Sequence, residues 1–235
     1  MIRPLLAFAL LFSSLAYAVE PASHNSLTQE EKAAGWKLLF DGTSPTGWVS
    51  LGKKTFPTAG WSVKDGTLFL AKGPGGGDIV TEEQFSDFEL KWEWRIAEGG
   101  NGGLKYNLPD PTKGVGCEYQ LLDDAKHPDG VKAGPIRQTA SLYDVLPPTV
   151  EKQTKTPGEW NESAILVKGN HVEHWLNGKQ VLAYEFGSEA LKEKIAKSKF
   201  KSTKGFGEKA TSPILLQDHN DELAFRNIKI RTAAK

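Results

Sequence analysis

Apolar and polar residues alternate along most of this chain with a period of two, as in strands that bury one face. The clearest run is FELKWEWRI at Phe88–Ile96. Phe88, Leu90, Trp92, Trp94 and Ile96 fall on one side, and Glu89, Lys91, Glu93 and Arg95 on the other. The wholly apolar side assigns Trp92 and Trp94 to a core rather than to ligand stacking. Shorter runs of the same kind cover 103–107, 116–122, 139–145, 160–168, 171–176, 213–219 and 223–231. Asp65-Gly66 lies between strand-like runs at 61–64 and 67–70, and Asn177-Gly178 between those at 171–176 and 179–182. They predict two-residue hairpin turns, because both positions tolerate positive φ. Thr28 with Glu31 three residues on predicts a capped helical turn, and 189–202 predicts a surface helix. Roughly a dozen short strands with so little helix predict an all-β sandwich or jelly roll.

Composition narrows the class. The 235 residues suit one large domain, and no linker interrupts residues 35–235. Residues 19–34 read as an N-terminal segment ahead of it. Arg3, the apolar stretch Leu5 to Leu15 and Ala16-Tyr17-Ala18 have the layout of a cleavable signal peptide over residues 1–18. The mature chain is therefore expected to be exported, periplasmic or secreted. It should have no membrane span, since no later run approaches about 18 apolar residues. Lys plus Arg and Asp plus Glu number 29 each. That balance excludes a general nucleic-acid or membrane-surface binder, which needs a basic excess. Cys117 is the sole cysteine, so no internal disulfide forms and a hydrophobic core must hold the fold. Cys117 itself reads as a small buried apolar residue.

Candidate chemistry concentrates between Asn101 and His127. Lys105 and Asn107 share one side of a strand. Glu118 and Gln120 share one side of the next, with Cys117, Tyr119 and Leu121 turned to the core. If these strands are neighbours, Glu93, Arg95, Lys105, Asn107, Glu118 and Gln120 form one polar face, a candidate sugar cleft. Asp123, Asp124 and His127 follow on a loop, and Gln217 and His219 share a side of a later strand. His174 falls beside Val172 and Leu176 and reads as structural.

Several blocks, in order, resemble the bacterial 3-keto-disaccharide hydrolase family: LFDGTSPTGW, NGGLKYN, EYQLLDDAKHPD, SLYDVLPP, PGEWNESAILVKGNHVEHWLNGKQV and ILLQDHNDELAFRNIKIR. The family more often reads GNSG at Gly100–Gly103 and DHG at Asp218–Asn220. Both changes keep a small or turn-tolerant residue. The resemblance implies a concanavalin-like jelly roll, two curved antiparallel sheets with a concave ligand-binding face. It also implies an oxidised glucoside or disaccharide as substrate. A ketone at C3 acidifies the C2 hydrogen, so a base can start elimination of the C1 substituent, and water can re-add to give net hydrolysis. The implied catalytic set is Glu118, His127, Lys105 and His219. Glu93, Arg95, Asn107, Gln120 and Gln217 are implied to hold substrate. A divalent metal ion on Glu118, Asp124 and His127 fits the same chemistry. Two other readings stay open: a non-catalytic carbohydrate-binding module, and a two-carboxylate glycosidase pairing Glu118 with Glu93 or Asp124.

Overall fold

A computed structural model describes residues 24–73 and 75–232, and the expected signal peptide lies outside them. The larger of two antiparallel sheets runs in the order β11 (Lys179–Glu185), β10 (His171–Leu176), β9 (Asn161–Lys168), β6 (Phe88–Ile96), β13 (Leu223–Thr232), β4 (Thr67–Leu70), β3 (Trp61–Lys64). A short β1 (Lys37–Leu38) also pairs with β13. The smaller sheet runs β2 (Trp48–Ser50), β5 (Ile79–Thr81), β12 (Leu215–Leu216), β7 (Asn101–Asp110), β8 (Val115–Leu122). The expected all-β sandwich is what the chain forms.

The period-two pattern decides which faces meet. Along β6 every second residue is buried, in the order the sequence predicts. Trp92 from the larger sheet meets Tyr119 from the smaller edge-on, ring centroids 5.0 Å apart. Polar groups inside this core are paired. The Tyr106 hydroxyl lies 2.6 Å from both His174 Nε2 and the Tyr184 hydroxyl, and His174 Nδ1 reaches the Ala140 carbonyl at 2.9 Å. That confirms His174 as structural, and burial depresses its pKa to about 4. Cys117 is fully buried, with its thiol pushed up to about 12 by burial, which makes it a core residue and no nucleophile.

Both predicted hairpins form, with φ of 49° and 70° at Asp65 and Gly66 and 47° and 80° at Asn177 and Gly178. Thr28 caps α1 (Gln29–Ala33) with the reciprocal Glu31 contact. The Asn25 side chain ties this segment to the domain, donating to Gly66 O and accepting from Asn227 N, both at 2.8 Å.

Three expectations change. Residues 139–145 are not a strand, because Ala140 and Asp144 take φ of 66° and 61° and turn the chain back on itself. The turned segment covers the free edge of β8 through Ala140 N to Gln120 O (2.9 Å) and Tyr143 N to Glu118 O (3.0 Å). The loop after Asp124 contains α2 (Pro128–Ala133), with His127 as its N-cap. The helix predicted over 189–202 stops at Ile195 as α3 (Glu189–Ile195), and Phe200 and Phe206 then stack at 4.2 Å in the core.

Candidate active site

The antiparallel register of β7 and β8 places Lys105 opposite Glu118 and Gly103 opposite Gln120. Leu104 and Tyr119 turn inward, so these polar partners stand on the outer face of the smaller sheet. On the other side of β7 comes β12, whose ladder continues one residue further as Gln217 N donates to Gly103 O at 2.9 Å. Gln217 is thereby set beside Glu118. The chain then turns and brings His219 over the same spot. Asn101, Glu118, Gln120, Gln217 and His219, with Tyr143 and Lys199, line one narrow hollow of about 50 Å³.

Glu118 is the buried acid at its base. Burial raises its pKa, opposed chiefly by the positive charges of Lys105 and Lys199. Lys105 Nζ lies 3.9 Å from Glu118 Oε2 and donates to Gly114 O at 3.2 Å. With the Gln120 amide turned nitrogen-first, it donates to Glu118 Oε1 at 2.9 Å and Gly102 O at 3.2 Å. Asp78 nearby is also raised, first by burial, and its carboxylate accepts from Asp218 N at 2.9 Å. Gln217 Oε1 is buried without a hydrogen-bond partner, an orphan acceptor at the hollow.

Tyr143 and Lys199 form the opposite wall. The Tyr143 hydroxyl donates to Asp129 Oδ2 at 2.5 Å, and Arg137 braces Asp129 and Asp144, each at 2.7 Å. Burial, then that carboxylate, raises the phenol pKa. The Lys199 ammonium lies 4.1 Å from the Tyr143 ring centroid, and its pKa is lowered because the protein displaces part of its hydration.

At the rim, His127 and His219 meet ring edge to face, centroids 6.0 Å apart. Asp221 accepts from Asn101 N at 3.0 Å and lies 3.9 Å from His219 Nδ1. Ligand atoms of His127, His219 and Asp221 all lie within 4.8 Å of one another. His127 Nδ1 accepts from Asp129 N at 3.2 Å, so the neutral ring carries its proton on Nε2 and must give up that contact to ligate an ion. Two imidazoles and a carboxylate suit a divalent transition ion.

The sequence profile of the 3-keto-alpha-glucoside-1,2-lyase-like domain matches residues 35–231. The chain belongs to that family. It is 33% identical over 250 residues to a 3-keto-disaccharide hydrolase of Bacteroides thetaiotaomicron, covering 93% of this chain and 85% of that one. A candidate glycosyl hydrolase from Parabacteroides distasonis, solved as a crystal structure, superposes with a TM-score of 0.81 at 34% identity, covering 90% of this chain and 100% of its own. A second from the same organism gives 0.66 at 26%, covering 84% and 98%.

In this member of the 3-keto-alpha-glucoside-1,2-lyase-like family, four expected site residues lie apart from the hollow. Glu93 and Arg95 are on β6, so the whole core separates them from Glu118. Glu93 pairs with Arg226 at 2.7 Å, and Arg95 stacks on Trp160 at 5.1 Å. The single polar face expected to carry them with Glu118 splits into two faces, because β6 and β8 belong to different sheets. That also removes the Glu118–Glu93 glycosidase pair. Asn107 sits at a bulge with φ 51°, which breaks the alternation. Its amide donates to Glu208 O at 2.7 Å and accepts from Ala210 N at 2.6 Å, holding a loop rather than facing Lys105. Asp124 accepts from Thr139 N at 2.7 Å and pairs with Lys152, so it anchors a loop. Asp124 and Glu118 are absent from the His127 cluster, and Asp221 takes the place expected for them. Reading the sequence missed Asp221, Tyr143 and Lys199. Asp221 follows His219 by two residues and was within reach of a motif argument. Lys199 lies beyond a surface helix with no local signal.

Proposed function

We propose that this chain cleaves glycosides bearing a ketone at C3 of the sugar, by removal of the C2 proton and elimination of the C1 substituent. Membership of the 3-keto-alpha-glucoside-1,2-lyase-like family supports the substrate class. The observation that carries the chemistry is one buried carboxylate, Glu118, beside an ammonium, Lys105, and an unsatisfied amide oxygen on Gln217.

Glu118 is the base. Its lone described hydrogen-bond donor is Gln120, which leaves Oε2 free to take a proton. A raised pKa makes it a stronger base than a solvated carboxylate, and Lys105 keeps it ionised. As the C2–H bond breaks, its electron pair forms an enolate with charge on O3. The Lys199 ammonium lines the hollow where that charge can be met. The enolate then collapses, C1=C2 forms, and the C1–O bond breaks with its electrons leaving on oxygen. The Gln217 oxygen accepts from a substrate hydroxyl, Asn101 lines the same hollow, and Gln120 orients the base. Protonated Glu118 then passes the proton it took from C2 to the leaving oxygen. Addition of water across the enone, oxygen to C1 and hydrogen to C2, completes net hydrolysis.

His127, His219 and Asp221 would hold a divalent ion, which when bound supplies Lewis-acid stabilisation of oxyanions at this rim. The signal-like residues 1–18 support export, so the substrate would be met outside the cytoplasm. The test is to incubate mature protein with 3-keto-glucosides and their unoxidised parents. Release of aglycone only from the oxidised set, lost in Glu118→Gln, is expected. Turnover of the unoxidised parents, or of neither set with and without divalent metal, would overturn it.

A further inference from the structure

We propose that the outer face of the larger sheet carries a second saccharide site, built on Trp175 and made for a neutral oligosaccharide. It lies across the core from Glu118 and shares no residue with that hollow.

The sequence makes the space. Trp175 on β10 stands opposite Ala164 on β9, and Ala164 stands opposite Lys91 on β6. A methyl group between two long side chains leaves the indole uncovered on that side. A hollow of about 620 Å³ opens there, floored by Trp175, Ala164 and Leu166. That is within the roughly 300–1,000 Å³ of small-molecule sites. The indole is held in place: Trp175 Nε1 donates to Glu173 Oε2 at 2.7 Å, and Glu173 Oε1 contacts His171 Nε2 at 3.0 Å. An ordered indole face is a platform for the C–H face of a sugar ring.

The rim sets the ligand class. Glu89, Glu162 and Glu173 oppose Lys91, Lys168 and Arg231, so the hollow has no net charge and no preference for an ion. It does offer both acceptors and donors, which hydroxyls require. Lys91 and Arg231 lie over the Trp36 ring at 4.9 and 5.1 Å and pair with Glu89, so part of the rim is preorganised. Glu162 and Lys168 also line the hollow, and among the described residues no ion pair engages either side chain.

Titration calorimetry of the full mature chain with cellotetraose, maltotetraose and xylotetraose tests this, each taken to about 10 mM, the weak end of useful affinity. At least one is expected to bind. Trp175→Ala should weaken that binding tenfold or more. Ala164→Arg, which fills the hollow and keeps the indole, should do the same, with unchanged melting temperature as the folding control. Glu118→Gln should leave it unaltered, so the result is independent of the catalytic reading. Binding of none of the three, binding that survives both hollow variants, or binding lost in Glu118→Gln would each overturn the proposal.

Discussion

Gly103 lies directly against Glu118: a Cβ built on Gly103 would stand 2.6 Å from Glu118 Oε1 and 3.0 Å from its Cγ. The carboxylate can cross the neighbouring strand only because that position has no side chain. Gly103→Ala should therefore push the carboxylate aside. A flexible side chain gives way at modest cost, so the thermal stability loss is expected to be about 1 kcal/mol. Activity should fall about a hundredfold, because displacing a base by an ångström is costly. Parallel melting curves and steady-state rates separate the two effects. Equal losses in both would refute a positioning role.

Glu118→Gln keeps the shape and removes the base, and should lower turnover of a 3-keto-glucoside by about 10²–10⁴-fold. The wild-type rate should fall as pH drops through the raised Glu118 pKa, since the base must be ionised. The stability sign is opposite. A carboxyl whose folded pKa is above its ordinary 4.5 binds protons more readily when folded. Wild type should thus gain stability relative to Glu118→Gln as pH falls from neutral through that pKa, with the gain complete below 4.5. Urea midpoints of the two proteins from mildly acidic to neutral pH check this, and a constant gap would contradict it.

His174 makes the reverse prediction. It is buried and neutral, its Nε2 accepting from Tyr106 and its Nδ1–H donating to Ala140 O. Its pKa falls from 6.5 to about 4, so the unfolded chain takes up the proton first. Stability should decline as pH falls below 6.5 and continue to decline until about 4. The total approaches about 3 kcal/mol, since each tenfold loss of proton affinity on folding is worth roughly 1.4 kcal/mol. Denaturation midpoints against pH would show it. His174→Gln, less stable at neutral pH, should lack that slope.

Chelation tests the rim. Treatment with EDTA should suppress turnover, and manganese, cobalt or zinc should restore it in wild type but not in His127→Ala/Asp221→Ala. Metal bound after desalting, measured by elemental analysis, should fall in that variant independently of activity. Undiminished metal content would show that His127 and Asp221 are not its ligands.

The pattern of alternation carried much of this architecture. Phe88–Ile96 reads correctly residue by residue because one face of β6 is fully buried in the core and the other only half-buried. β8 was harder to read. It is buried on both faces from Gly116 to Leu122, so its polar residues look no different from a solvated edge. The false strand at 139–145 arose from apolar residues that are buried, as expected, but in a turned backbone held by Ala140 and Asp144 at positive φ. Nothing in an Ala announces that conformation.

Local chemistry, then, determined the strands, both hairpin turns, the core tryptophans and the polar character of Lys105, Glu118, Gln217 and His219, because each depends on near neighbours in the chain. Which of those polar residues face one another was decided in three dimensions. β7 and β8 are joined by a short connection, yet Gln217 and Lys199 reach them from far along the chain, through sheet order and a covering loop. Sheet membership has no period in the sequence, so Glu93 and Glu118 can share a pattern and still stand on opposite sides of one core.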